Sequence, residues 1–175
     1  MGASKALRAL SAESPAAVYP HFDFLAGLLG GKKQILKWNA TLTLANLAAV
    51  DREGRLDQII DTYLAPIAGH NMIDASNTIR GAAVIATVKP YLAPAIAGRI
   101  LAVERAVYAT PECRNMAIGH AITALEQFFT IVPDKHAVLA FVRRQADNPR
   151  SATRAKARRF LKRWHGRGSS ASGTA

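Results

Sequence analysis

Lys37-Trp38-Asn39-Ala40-Thr41-Leu42-Thr43-Leu44, Asp74-Ala75-Ser76-Asn77-Thr78-Ile79 and Arg114-Asn115-Met116-Ala117-Ile118-Gly119-His120-Ala121 read as one helix written three times, within 32–51, 71–89 and 111–131. In each, a small residue is followed four positions later by an apolar one, Ala40 by Leu44, Ala75 by Ile79 and Ala117 by Ala121, so that both lie on one helical face. Aligned on these alanines the steps are 35 and 42 residues, near the periods of two-helix repeats. A recurring supersecondary unit of this size predicts an all-α chain, a short solenoid of about four antiparallel helix pairs.

Composition agrees with that expectation. Half of the 175 residues are apolar and only 7% are aromatic, a palette that suits closely packed helices. A chain of this length fits one domain and buries about 70% of the surface its unfolded form exposes. The lone Cys113 excludes an internal disulfide and a cysteine cage for zinc, and it points to a reducing, cytoplasmic compartment. Residues 1–8 lack the apolar run of a secretory signal, and Ala6 stands where a myristoylation signal starting at Gly2 wants Ser or Thr. The charge-free runs 38–50 and 62–73 fall short of the roughly 20 residues that span a bilayer.

Working outward from the repeated helix, the chain divides into a leader over 1–16, expected to be partly disordered, a single helical domain over 17–165, and a polar tail over 166–175, also expected to be disordered. The first pair joins 17–29, with Val18, Phe22, Leu25 and Leu29 on one stripe, to 33–50. The second joins 55–68 to 72–88 across His70-Asn71, the third 91–108 to 111–131, and the fourth 134–146 to 149–165. Thr110-Pro111-Glu112 is a helix start: Thr110 caps, Pro111 loses no bond at the first position and Glu112 favours the positive end of the dipole. Asn148-Pro149 repeats the arrangement. Leu36, Leu44, Leu47, Ile59, Ile60, Ile79, Ile100, Ile118, Ile122 and Leu125 are the expected core, with Val103 and Val107 also inward.

Two antiparallel helices per unit, a Lys/Arg-x-x-Ala opening to the second helix (Lys37 to Ala40, Arg114 to Ala117) and a proline in or before the first helix resemble the HEAT-repeat family over roughly 17–165. The resemblance implies a right-handed superhelix whose second helices line a concave surface that grips proteins or, in some branches, nucleic acid. It carries no specific activity. Some HEAT-like proteins are alkylpurine DNA glycosylases that use an acidic residue and aromatics in a basic groove; Asp74, Trp38 and Arg80 would take those parts here.

Polar residues on the second helices are the first candidates for function. Asn39, Thr43 and Asn46 share one face of their helix, as do His120, Thr123 and Gln127 of theirs. With Trp38, Asn77, Arg80 and Asn115 they form a line that would bind a protein partner. The second candidate is the last helix. Residues 1–142 carry 13 Lys or Arg against 11 Asp or Glu, whereas 143–167 carry 10 against the single Asp147. Arg150, Arg154, Arg158 and Lys162 recur every four residues with Arg159 and Arg163 beside them, a stripe suited to phosphate contacts and so to nucleic acid. The alternative is a polar cap on the end of the array. The five histidines make no H-E-x-x-H pattern, and Gly30-Gly31-Lys32-Lys33 lacks the spacing of a phosphate-binding loop. No catalytic residue, metal site, cofactor or small-molecule substrate is inferred. The expected role is that of a non-catalytic scaffold.

Overall fold

Proline placement decides where the helices are continuous and where they break. In the computed structural model, which describes residues 2–165, α4 (Gln34–Leu47), α6 (Met72–Val88), α8 (Pro111–Phe128) and α10 (Ser151–His165) are long and free of internal proline. Their predecessors are short. The stretch expected as one helix over 17–29 is split into α2 (Pro15–Val18), a 3-10 turn and α3 (Phe22–Gly27), because Pro20 has no N–H to donate and crowds the preceding turn. Pro66 likewise converts the end of the second pair's first helix, α5 (Arg55–Leu64), into a 3-10 turn over Ala65–Ala68. Then α7 (Ala93–Leu101) and α9 (Lys135–Arg144) complete the third and fourth pairs. Every described element is helical or turn, with no strand among the described residues.

Local capping explains most of the starts. Asn71 accepts hydrogen bonds from the amides of Ile73 and Asp74 at the head of α6, Thr110 from Cys113 at the head of α8, and Asp134 from Ala137 at the head of α9. The fourth start differs from the sequence reading. Pro149 precedes α10 rather than opening it, and Asn148 bonds sideways to Gln145 and Asn115 as well as accepting from the Arg150 amide.

The long helices lie in a row in which α6 packs against α4 on one flank and α8 on the other, and α8 in turn packs against α10. Each is backed by the helix before it. Ala40, Ala75 and Ala117, on which the repeats were aligned, are all buried, and Ala157 does the same for α10. Two mid-helix glycines let the neighbours approach: a Cβ on Gly81 would clash with the Tyr63 hydroxyl, and one on Gly119 would come within 2.7 Å of Thr153 Oγ1. Leu44, Leu47, Ile79, Ile100, Ile118, Ile122 and Leu125 are in the core as expected, together with Phe22, Tyr63, Phe128, Phe141 and Phe160. Leu36, Ile59 and Ile60 are only partly covered, and Val107 is 70% exposed because the chain leaves its 3-10 turn at Ala106. The far end is closed by rings, Phe129 lying 5.1 Å from Phe160 and 4.8 Å from Trp164 between centroids.

The leader is the largest departure. Residues 3–13 form a helix, α1 (Ala3–Glu13), which joins the row beside α4. Its Ser4 and Ser11 hydroxyls accept from Asn39 at 3.2 Å and Asn46 at 2.9 Å. The polar asparagines on α4, which looked available to a partner, are what hold it there. The tail expected over 166–175 lies outside the described residues. No described helix is long and apolar enough to cross a membrane.

Where α4–α5 meets α6–α7 the joint is ionic. The Asp51 carboxylate, fully buried, accepts from the Tyr19 hydroxyl at 2.6 Å, the Arg55 and Leu56 amides at 2.9 and 3.0 Å, and the Lys89 ammonium at 2.8 Å. Lys89 also reaches Asp57 at 2.8 Å and the Tyr91 hydroxyl at 3.1 Å. Burial by itself would raise the Asp51 pKa, but these donors, Lys89 first, outweigh it and leave the net direction downward. Lys89 moves the opposite way: burial would lower it, and its partners push it up. Desolvation and the Asp51 bond push the Tyr19 phenol up to about 12.

Candidate functional site

Small side chains on successive row helices leave a recess across the row. Ala9 and Ala12 of α1, Ala45 of α4 and Gly81 of α6 border a cleft of about 400 Å³ whose polar walls are Arg8, Asn46 and Arg80. Arg80 is also a wall of a second cleft, about 240 Å³, between α6 and α8, where it meets Asn77, Ser76 and His120 above Met72, Ile73 and Met116. One arginine therefore borders two adjoining clefts.

Three of the expected partner-binding residues, Asn77, Arg80 and His120, lie together in the second cleft. Asn77 donates its amide back to the Ile73 carbonyl at 3.1 Å, which leaves its side-chain oxygen toward the cleft side as an acceptor. Arg80 is exposed and has no hydrogen bond or ion pair among the described residues. His120 reaches solvent, yet crowding by the neighbouring helices desolvates its ring, and the cations Lys156, Arg80 and Arg150 add to that; its pKa is held below the ordinary 6.5. Asn46 borders the first cleft and is tied to α1 through Ser11, whose hydroxyl passes the chain of bonds on to the Arg8 carbonyl at 2.7 Å.

Asn39, Asn115 and Trp38 are corrections. Asn39 is 8% exposed beneath α1, its amide shared between Ser4 and the Ile35 carbonyl. Asn115 ties α8 to the fourth pair: its side chain accepts from Asn148 at 3.1 Å and its carbonyl from the Thr153 hydroxyl at 2.8 Å. Trp38 is half-buried and donates its indole N–H to Asp74 at 2.6 Å, while Lys37 takes the other carboxylate oxygen at 2.6 Å. Both Asp74 oxygens are thus engaged in joining α4 to α6.

The cationic stripe of α10 is similarly occupied. Arg150 pairs with Glu112 at 2.8 Å, and Arg154 donates to the Asn148 and Pro149 carbonyls at 2.7 and 3.3 Å. Arg158 holds the Ala146 carbonyl at 3.0 Å and Asp147 at 3.3 Å, and Arg163 reaches Glu126 at 3.3 Å. Arg154 and Arg158 thus bind α10 to the end of the preceding turn, where free carbonyls favour cations. Only Arg159 and Lys162 of that set are exposed with no partner among the described residues.

Two cations, Arg8 on the wall of the first cleft and Lys156 near the second, were not foreseen. Arg8 was hidden in the supposed leader; its sequence signal was the run Ala6 to Ala12, which has helical composition. Lys156 lies between the buried Thr153 and Ala157 side of α10 and the solvent, and its ammonium donates to the Gly119 carbonyl at 3.1 Å, beside His120. Desolvation lowers the Lys156 pKa, and Arg150 and Arg159 lower it further. Among the described residues no three His, Cys, Asp or Glu side chains converge as ligands for a metal ion. No protein-family model, no curated protein and no solved structure matches this chain.

Proposed function

We propose that the chain is a HEAT-like interaction scaffold, its helix pairs forming a short right-handed superhelix, and that a protein partner lies across the open face of the row over the clefts that share Arg80. The observation that carries this reading is the contrast in polar bonding. Asn39, Asn115, Asp74 and most of the α10 arginines are engaged with neighbouring helices, whereas Arg80, His120 and the Asn77 oxygen line recesses of about 400 and 240 Å³. Convergent polar groups over a partly apolar recess are the usual makeup of a binding site. The role is non-catalytic and goes with the cytoplasmic setting to which the single cysteine points. Nucleic-acid binding through α10 ranks second, since it rests on Arg159 and Lys162 once the other arginines have internal partners.

A photo-crosslinking residue at position 77 tests the reading against one at position 99, on the backing helix α7. Adducts with a protein of the source cell at 77 and none at 99 are expected; adducts at 99 alone, or at neither, place binding elsewhere.

A further inference from the structure

The recess has a chemistry of its own. Three helices line it with a basic side chain, Arg8 from α1, Arg80 from α6 and His120 from α8, and Lys156 of α10, bonded to the Gly119 carbonyl, stands next to His120 outside the lining. Among the described residues no Asp or Glu lines either cleft. Arg8 and Arg80 have no side-chain partner among the described residues, so each keeps a fork of five N–H donors, and Lys156, with one bond to Gly119, keeps two. Beside the basic groups the second cleft offers Met72, Met116 and the 44% exposed Ile73. Thioethers adapt to aliphatic side chains of varied shape.

We propose that this recess binds an acidic peptide segment, its carboxylates paired with Arg80, Arg8 and Lys156 and one aliphatic side chain seated between Met72 and Met116. The inference rests on the scaffold reading above and adds the chemistry of the partner. Charge complementarity selects an anionic chain, because Arg8, Arg80 and His120 are the ionisable side chains that line the clefts among the described residues. The lining then selects peptide over nucleic acid. No Phe, Tyr or Trp among the described residues borders either cleft, so bases would find only the small His120 imidazole on which to stack. The α10 arginines that would follow a phosphate backbone are turned to Glu112, Asp147 and backbone carbonyls.

Geometry sets the pattern of the segment. Neighbouring helices lie roughly 8–10 Å apart and an extended chain advances about 3.3 Å per residue, so a strand crossing the row meets a new helix about every third residue. From α1 to α10 it needs about twelve residues, with acidic positions recurring roughly every third one.

The probe is a library of peptides of about twelve residues with Glu fixed at every third position and aliphatic residues varied between, read by fluorescence anisotropy against the full chain. Expected are library members whose binding weakens at least about ten-fold when Glu is replaced by Gln, and about ten-fold in Arg80→Gln and Arg80→Glu, and which is unchanged in Arg159→Gln/Lys162→Gln. Circular dichroism confirms that each variant is folded; Arg80 is exposed, and the paired Gln and Glu variants keep the result readable should one misfold. Absence of binding by any acidic member, equal binding by Gln counterparts, or tighter binding by single- or double-stranded oligonucleotides of matched charge would overturn the proposal. Crosslinking at position 77 together with failure of the peptides leaves the scaffold reading standing and removes only the acidic chemistry; failure of both removes both.

Discussion

Charge is handled in opposite ways at two neighbouring places on α6 and its flanks. At the Asp51–Lys89 joint every ionic group has partners: four donors on Asp51, and two carboxylates and a phenol on Lys89, with side chains 0% and 7% exposed. At the Arg80 recess Arg8, Arg80 and His120 line the walls, and among the described residues no carboxylate does. The joint is complete within the chain, and its charges stabilise the fold. On the proposal made above, the recess is completed by an anionic partner. The difference separates charges that hold helices together from charges left for a partner, a distinction that net charge alone does not make.

The strongest way to break the comparison is to unpair the joint. Lys89→Met leaves Asp51 buried with no cation, and unfolding measurements should show a loss of about 3–5 kcal/mol, a fall in Tm of roughly 10 °C. Replacing both partners, Asp51→Asn with Lys89→Met, should restore part of that loss, because no uncompensated buried charge remains. The joint also fixes an acid limit. A carboxylate held below its ordinary 3.8 stabilises the fold above that value and ceases to do so as pH falls through the lower, folded pKa. Wild type should therefore lose stability below about pH 4 more steeply than the double variant. A double variant that loses stability just as steeply would show that the acid limit lies elsewhere.

Next in size is the packing beside the recess. Gly81→Ala gains helix propensity of about 1 kcal/mol, but the added methyl meets the Tyr63 hydroxyl, which donates to the Thr41 carbonyl. Overpacking of this kind costs about 1–3 kcal/mol, so a net loss is expected by chemical denaturation. Tyr63→Phe in the same chain should recover part of it. A Gly81→Ala variant more stable than wild type would mean that α5 and α6 separate without cost.

How far the sequence revealed this division follows from which interactions have a local signature. Three of the four long helices were legible because Ala40, Ala75 and Ala117 repeat with helical apolar spacing and because the cap at Thr110 is a local bond. The broken first helices were less so, since the apolar stripe Val18, Phe22, Leu25 continues through Pro20 while the backbone does not. The site was half legible. Asn77, Arg80 and His120 share the α6–α8 cleft as their positions on facing helices suggested. Asn39 and Asn115 are of the same residue type as Asn77, yet α1 and Asn148 bond to them. Those partners lie 35 and 33 residues away in the chain, and no window of helical periodicity contains them. The α10 stripe misled for a related reason: its spacing announces one face without saying whether that face meets solvent or the Asn148 carbonyl.

A smaller effect separates the two kinds of arginine directly. Arg154→Ala removes donors to the Asn148 and Pro149 carbonyls and should cost about 1 kcal/mol of stability, with affinity for an acidic peptide unchanged. Arg80→Ala should do the reverse, moving stability by less than about 0.5 kcal/mol while weakening that affinity about ten-fold. Parallel melting curves and titrations of the two variants decide it. If Arg154→Ala weakens binding as much as Arg80→Ala does, α10 belongs to the binding surface and the division fails.

The smallest expected effect lies in the pH dependence of His120. Desolvation first, and then the charges of Lys156 from α10, Arg80 from α6 and Arg150 just before α10, hold its pKa below 6.5. A histidine whose folded pKa is depressed binds its proton more readily in the unfolded chain. It therefore contributes no penalty well above 6.5, destabilises progressively as pH falls below that value, and reaches its full penalty below the folded pKa. The chain has four other histidines, so the informative quantity is the difference between wild type and His120→Gln. In urea unfolding at about pH 7.5 the two should match, and at about pH 5.5 the variant should be the more stable. An acidic peptide reverses the sign for wild type, because its carboxylates supply the anion that the protonated ring lacks, and the peptide should bind wild type more tightly at the lower pH while His120→Gln shows less of that gain. Were wild type instead stabilised by acid relative to His120→Gln in the absence of peptide, an internal carboxylate would already face the ring, and the recess would be as complete as the Asp51–Lys89 joint.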